Sequence, residues 1–375
     1  LLRDGPQGEE GALAILRSGP EQDAAAVVFK ATSQGMGHGH LDRLGLLYFD
    51  NGDEVVADYG AARFLNVEPK DGGRYLPENE SWAQQTVAHN TLVVDQASQF
   101  GGDWRAGEEH SPRILAFAVE GDVQYTAAEI ESAYAGVVLQ RLIGLVADVD
   151  GDSYVVDIVR ARSRTRHSYD LPVHFKGQLI DTSFDMKMAT QTRSPLGSAF
   201  GYQHLWMQGE SGPIDGMSKL SWLLGDQFYT LTFKTSAPVT AIMTELGAND
   251  PNDNLRNEQA LLLRTTDRSI DYVSVYERHG RYDNDEEVTV FDGGSVVSIT
   301  DKRVGDVVIY SISVQGGRLL RAFFADNTDL ALNHCIEVDG QAVTWRGAVK
   351  LSVRSETAST STRKIEEEVC RDGSH

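Results

Sequence analysis

Cysteine is scarce, with only Cys335 and Cys370 in 375 residues. A disulfide framework therefore does not hold this fold, and a four-cysteine zinc site is excluded by count. One Cys335–Cys370 bridge stays open, with Cys370 set in a polar tail. Long apolar runs are missing too: none approaches the ~20 residues that span a bilayer, so no membrane partner is expected. Basic residues are outnumbered, 34 Lys and Arg against 55 Asp and Glu, for a formal net charge of −21. That balance argues against nucleic acid and anionic membranes as partners. It does not exclude an acidic substrate, because a local cluster of cations can reverse the field inside one cleft. P-loop, GxSxG, HExxH and dinucleotide fingerprints are absent. No secretory leader is present and the first residue is Leu1, so a processed or truncated chain is expected. A periplasmic or secreted setting is the expectation, although no segment marks it.

What is present is a succession of short β segments. Gly11–Arg17, Ala24–Thr32, Leu44–Asp50, Asp53–Tyr59 and Asn90–Asp95 are rich in Val, Ile, Tyr and Thr, with polar breaks between them. So are Val137–Val149, Ser153–Arg162, Gln227–Thr235, Gln259–Arg264, Ile270–Tyr276, Val307–Ser313 and Ala348–Val353. Helical periodicity is hard to find, and Glu78–Ala88 reads as a short helix or a loop. The chain is all-β, best read as a large antiparallel β-sandwich of stacked sheets. One hairpin is well signalled. Asn51-Gly52, the favoured type I′ pair, separates two apolar runs. It predicts Asp50 opposite Asp53 and, by register, Gly45 opposite Asp58. His38–Asp42 and Asp58–Gly60 would then emerge at the same end.

Candidate chemistry gathers around that end. His38-Gly39-His40 places two imidazoles at i and i+2, on one face if extended, and Asp42 extends the parity. Alone, this pattern suits an ordinary polar loop as well as a ligand pair. Asp58 returns to the same end of the hairpin, and His89 arrives after a long excursion. Two imidazoles, one carboxylate and an open fourth position describe a zinc site. Asp58 is equally readable as a strand-end acid and His89 as a buried, satisfied histidine. The stretch between Gly60 and His89 is long for a connection, and such loops are often functional. It carries Arg63, Tyr75, Asn79, Trp82 and Gln84. An Arg can clamp a carboxylate, a positioned Tyr can move a proton, and a Trp can stack on a pyranose or simply pack. His167 to Asp170 with His174, His204 with Trp206, and Arg256 with Arg264 are weaker candidates.

These segments resemble a known family. Gly37-His38-Gly39-His40-Leu41-Asp42-Arg43-Leu44, Asp50-Asn51-Gly52-Asp53-Glu54-Val55, Asp58-Tyr59-Gly60 and Gln85-Thr86-Val87-Ala88-His89-Asn90-Thr91-Leu92-Val93 are similar to the heparinase II/III-like polysaccharide lyases, above all the family 17 oligoalginate lyases. Ser132-Ala133-Tyr134, Leu139-Gln140-Arg141, Tyr169 to His174 and Asn254-Leu255-Arg256 extend the match. The resemblance implies the C-terminal β-sandwich half of a lyase whose N-terminal half is an (α/α) toroid, with the active site between them. It implies a structural Zn²⁺ on His40, Asp58 and His89, a catalytic Tyr75 and His38, and a substrate-binding Arg63. It implies β-elimination on acidic, uronate-containing oligosaccharides, alginate oligomers first. A non-catalytic acidic-glycan-binding module and a heparan-type lyase are the alternatives. No helical toroid is found in this chain, so that partner is expected elsewhere in the precursor or on a separate chain. A homodimer is a further expectation. The expected division is residues 1–265 for the sandwich and its site, 266–362 for a C-terminal β-sheet region, and 363–375 for a loose tail.

Overall fold

The central strands read as continuous apolar runs because both of their faces are covered. In Ser153–Val173, Val155, Val159 and Ala161 pack into one core, and Tyr154, Val156 and Ile158 into another on the opposite face. Period-two alternation along one strand thus feeds two cores. The computed structural model describes residues 1–33, 39–59, 64–65, 75–147, 153–247, 250, 252–290 and 293–355. His38, Arg63, Cys370 and the expected tail lie outside the described residues.

Among the described residues three sheets stack in layers. The first has five antiparallel strands in sequence order: Leu2–Arg3, Gly11–Arg17, Ala26–Thr32, Gly45–Asp50 and Asp53–Val56. The large central sheet has 13 strands and is built around the antiparallel pair Ser153–Val173 and Glu258–Asp283. Val137–Ala147, Val123–Tyr134 and Arg113–Glu120 extend it on one side, and Gln227–Thr235 and Ser218–Leu224 on the other. The third sheet is Val296–Val304, Val307–Val314, Arg318–Ala325 and Val349–Ser355, with a separate ribbon of Asn333–Val338 and Gln341–Arg346. Val27, Phe29, Leu46 and Tyr48 of the first sheet share a core with Val155, Leu231 and Tyr276. Leu142, Val146 and Val275 share the other core with Ile312, Leu320 and Leu351 of the third sheet. Each such fully buried side chain contributes about 1.5–3 kcal/mol. At Gly144 the third layer comes so close that an added Cβ would collide with the Leu351 side chain. The all-β, stacked-sheet expectation holds.

Several boundaries differ from the sequence reading. Gln259–Arg264 and Ile270–Tyr276 belong to one strand, Glu258–Asp283, so the expected division at residue 265 falls inside it. The change of sheet comes between Val290 and Val296. Val123–Tyr134 and Arg318–Ala325 are strands that their Ala, Glu and Arg content hid. The 79–88 region forms a π-helical turn at Asn79–Ala83 and a 3-10 turn at Thr86–Ala88. The hairpin turn is as expected, with Asn51 and Gly52 both at positive φ (53° and 80°) and Asp50 opposite Asp53. A bulge then shifts the register, so Tyr48 faces Val56 and pairing ends there. Gly45 pairs with Lys30 of the other neighbour, not with Asp58.

Candidate metal centre and its supporting loops

The loop that carries His40 and Asp42 is pinned from inside by the next side chain. Arg43 is 1% exposed, and its Nη1 donates to His40 O at 2.9 Å and its Nη2 to Gly107 O at 2.5 Å. Its guanidinium lies 5.5 Å from the centre of the Phe100 ring. The segment leading to His89 is tied to the same loop. Thr86 Oγ1 donates to Leu41 O (2.6 Å), and Leu41 N donates to Gln84 O (3.0 Å). The Asn90 carboxamide then bridges three segments: Nδ2 donates to Leu46 O (3.0 Å) and Ala57 O (2.6 Å), and Oδ1 accepts from His174 N (2.7 Å). Under both loops lies Arg141. Its Nε and Nη2 grip the two oxygens of buried Asp157, each at 2.7 Å. Its Nη1 donates to Leu44 O and Asn90 O.

The result is a compact group. Ligand atoms of His40, Asp42 and His89 all lie within 4.8 Å of one another. The His40 and His89 rings are 5.1 Å apart, and Asp58 forms a very short ion pair with His89 Nδ1. His89 Nε2 sits 3.0 Å from Ala83 O. Asp42 Oδ2 accepts from Lys30 Nζ at 2.6 Å, whereas Asp42 Oδ1 is buried without a hydrogen-bond partner. Burial, helped by His89, lowers the His40 pKa to about 4, so its ring is neutral with a lone pair available. Burial also opposes charge on His89, but Asp58 outweighs it and raises that pKa. For Asp58 burial pushes the other way, and His89 holds the carboxyl well below the usual range.

These residues fit a cation. With Nε2–H directed at Ala83 O, a neutral His89 ring would turn its Nδ1 lone pair toward the Asp58 carboxylate. Two acceptors then face each other, and only a proton or a metal ion between them removes the conflict. A backbone carbonyl that fixes the far nitrogen of a histidine is the usual outer support of a metal-bound imidazole. Asp42 Oδ1, which has no hydrogen bond and only Arg43 Nη1 at 3.9 Å, points to the same need. His40, Asp42 and His89 are therefore a group that could hold a metal, and Asp58 stands directly against it.

The other sequence candidates are not among these ligand atoms. Tyr75 is 74% exposed. Trp82 is fully buried against Tyr59, His174 and His204, so it packs and is no stacking platform. His174 Nε2 lies 2.8 Å from Val87 O, and burial lowers its pKa to about 4. Arg264 grips both oxygens of Asp170 at 2.6 and 2.7 Å, with Tyr202 OH donating to the same carboxylate. His204 meets Ser81 Oγ at 2.9 Å. Sequence reasoning passed over Arg43, the Asn90 carboxamide and the Arg141–Asp157 pair. One signal was there: Asp157 is a lone acid in the apolar run Tyr154–Val159, and a buried carboxylate needs a partner.

Comparison with known proteins fits this architecture. The family described as heparinase II/III-like, C-terminal, matches residues 1–291. The chain belongs to that family. An alginate lyase of Stenotrophomonas maltophilia is 44% identical over 350 residues, 93% of this chain and 47% of the relative. An exo-oligoalginate lyase of Saccharophagus degradans is 40% identical over 362 residues, 94% of this chain and 49% of the relative. The chain thus spans about half the length of these two relatives. Among solved structures, a heparinase III gene product superposes with a TM-score of 0.56 at 14% identity, covering 92% of this chain and 42% of that one. A heparan sulfate lyase mutant from Pedobacter heparinus gives 0.50 at 15% identity, covering 84% and 41%. At such identities the structural likeness speaks for the fold of this heparinase II/III-like chain.

Proposed function

We propose that this chain is the β-sheet portion of a polysaccharide lyase that cleaves uronate-containing oligosaccharides, alginate oligomers first, by β-elimination. One observation carries the reading: 40–44% identity to an alginate lyase and an exo-oligoalginate lyase across 93–94% of the chain. The remaining length of those relatives is where the reading places the helical toroid that completes the active site. We place the protein in the periplasm or outside the cell, which fractionation tests.

In this reading His38 and Arg63 neutralise the uronate carboxylate and so acidify the C5 proton. A Tyr or His base removes that proton. The C5–H electron pair becomes the C4–C5 double bond, and the C4–O4 bond breaks with its pair on oxygen. Tyr75, an exposed side chain, returns a proton to O4. Preorganised cations around the carboxylate stabilise the enolate-like charge and supply much of the barrier reduction. We assign Zn²⁺ to the cluster, with His40, His89 and Asp58 as its holders and Asp42 beside them. Its contribution is structural, tying the His40 loop, the end of the hairpin and the His89 segment together.

The test is a substrate panel of alginate, heparan sulfate and hyaluronan oligomers, run with the complete protein and read by product mass and unsaturated-uronate absorbance. Unsaturated products from alginate oligomers, lost in Tyr75→Phe, are expected. No unsaturated product from any member of the panel overturns the lyase reading. Full activity of Tyr75→Phe removes that residue from the chemistry.

A further inference from the structure

The strand Ser153–Val173 contains the most basic run in this acidic chain: Arg160, Arg162, Arg164 and Arg166 at every second position, then His167. The first two are engaged inside the fold. Arg162 pairs with Asp271, Arg160 Nε stands 3.6 Å from the same carboxylate, and Arg160 lies over the Phe324 ring. The next two are not. Arg162 faces Ser269 and His167 faces Asp267, so Ser163 to Arg166 stand opposite Arg268 alone. On the other side the ladder ends at Ser163 opposite Val137. This bulge turns the backbone outward and re-aims its side chains.

Arg164, Arg166 and Arg268 are all exposed there. Among the described residues none of the three makes an ion pair. Arg166 donates Nη2 to Thr266 O at 2.8 Å. Two carboxylates stand at the bulge, each with hydrogen bonds of its own. Asp267 Oδ1 accepts from Arg268 N (2.6 Å), and Asp95 accepts from Ser168 N (2.9 Å) and contacts His167 Nδ1 (2.7 Å). Three exposed guanidinia that make no ion pair therefore share one bulge with two carboxylates, in a chain of net charge −21. At physiological salt charges are screened over about 8 Å, so distant acids do not cancel this local field.

We propose that this bulge is a secondary binding site for the carboxylates of a polyuronate chain. Guanidinium forks match carboxylates bidentately. The site is separate from the metal cluster, because Arg166 lies roughly 23 Å along the strand from Val173, at about 3.3 Å per residue, and it is the next residue, His174, that bonds Asn90 beside His89. It holds the polymer while one end is processed elsewhere. The glycan class rests on the lyase reading above, so the experiment measures binding and not turnover.

The complete protein is titrated with size-fractionated polymannuronate, with dextran as the neutral control and duplex DNA as a non-glycan polyanion. The variant Arg164→Gln/Arg166→Gln/Arg268→Gln should keep its unfolding temperature, since all three side chains are exposed. It should bind polymannuronate about tenfold more weakly, the sum of three exposed pairs. Its salt dependence should flatten by about three, one for each cation removed. Both titrations are run in the Tyr75→Phe background, so the polymer is not consumed and the comparison reads the three arginines whether or not the lyase reading holds. Unchanged affinity and salt slope in the triple variant overturn the proposal. So does a wild type that ignores polymannuronate, or one that binds DNA equally well.

Discussion

Replacing Arg141 by Met should separate stability from metal affinity. Arg141 is 1% exposed and Asp157 fully buried, and they share two hydrogen bonds of 2.7 Å. Removing the guanidinium strands a carboxylate in the interior, which costs about 3–5 kcal/mol. Urea unfolding followed by Trp fluorescence measures this, because Trp82 and Trp222 are both fully buried. Adding Asp157→Leu removes the stranded charge and should recover most of the loss, since apolar replacement of a buried pair is often neutral. The Leu44 carbonyl loses its Arg141 donor in both variants, and the Asn90 carbonyl is left with Leu46 N at 3.3 Å. Each unpaired carbonyl costs about 1–3 kcal/mol or drives its loop to move. Those loops carry His40, Asp42 and His89, so zinc affinity should fall about 10–100-fold, as for other outer-support residues. Competition with a chelating dye reads that affinity. The double variant should thus be more stable than Arg141→Met alone and equally poor in metal binding. A double variant that binds zinc like wild type would refute the positioning argument. A loss below about 1 kcal/mol for Arg141→Met alone would refute the energetic one.

Three further outcomes are expected. Elemental analysis of the purified protein should find about one zinc, lost in His40→Ala, and a metal-free wild type would sink the site. Gly144→Val should cost about 1–3 kcal/mol by overpacking against Leu351, and Leu351→Ala in the same chain should return part of it, as read by thermal unfolding. Burial raises the Asp50 carboxyl above its ordinary value, even though Arg278 and Tyr229 oppose this. A raised folded pKa means the native state binds the extra proton, so stability is present at low pH and lost as pH rises through the folded value. Asp50→Asn should therefore gain stability relative to wild type in the acid range just above the ordinary carboxylate pKa. A variant that tracks wild type across that range would contradict this sign.

Much of the site was legible because its parts are local. His40 with Asp42, the Asn51-Gly52 turn and the His89 segment are short patterns, and turn chemistry follows from φ preferences at single residues. The hairpin register was not legible. The bulge between Tyr48 and Phe49 moves the pairing by one residue, and nothing in that apolar run announces it. The long strands were split for a similar reason. Thr265 to Ser269 reads as a polar break, yet its backbone stays extended because Tyr169 and Ser168 pair across it.

The sequence by itself determined that this chain is all-β, that its sheets stack, and that two histidine segments flank a tight hairpin. Period-two patterning and turn residues are properties of neighbours in the chain, so they survive without a fold. Only the tertiary structure decided which groups meet. It set Asp58 against His89 Nδ1, brought Asp42 into the same cluster beside His40, and placed Arg141 under both loops from a strand about 50 to 100 residues away. It also left Arg164, Arg166 and Arg268 together at one bulge. Such meetings depend on long-range register, and a single bulge can change them without altering any local preference.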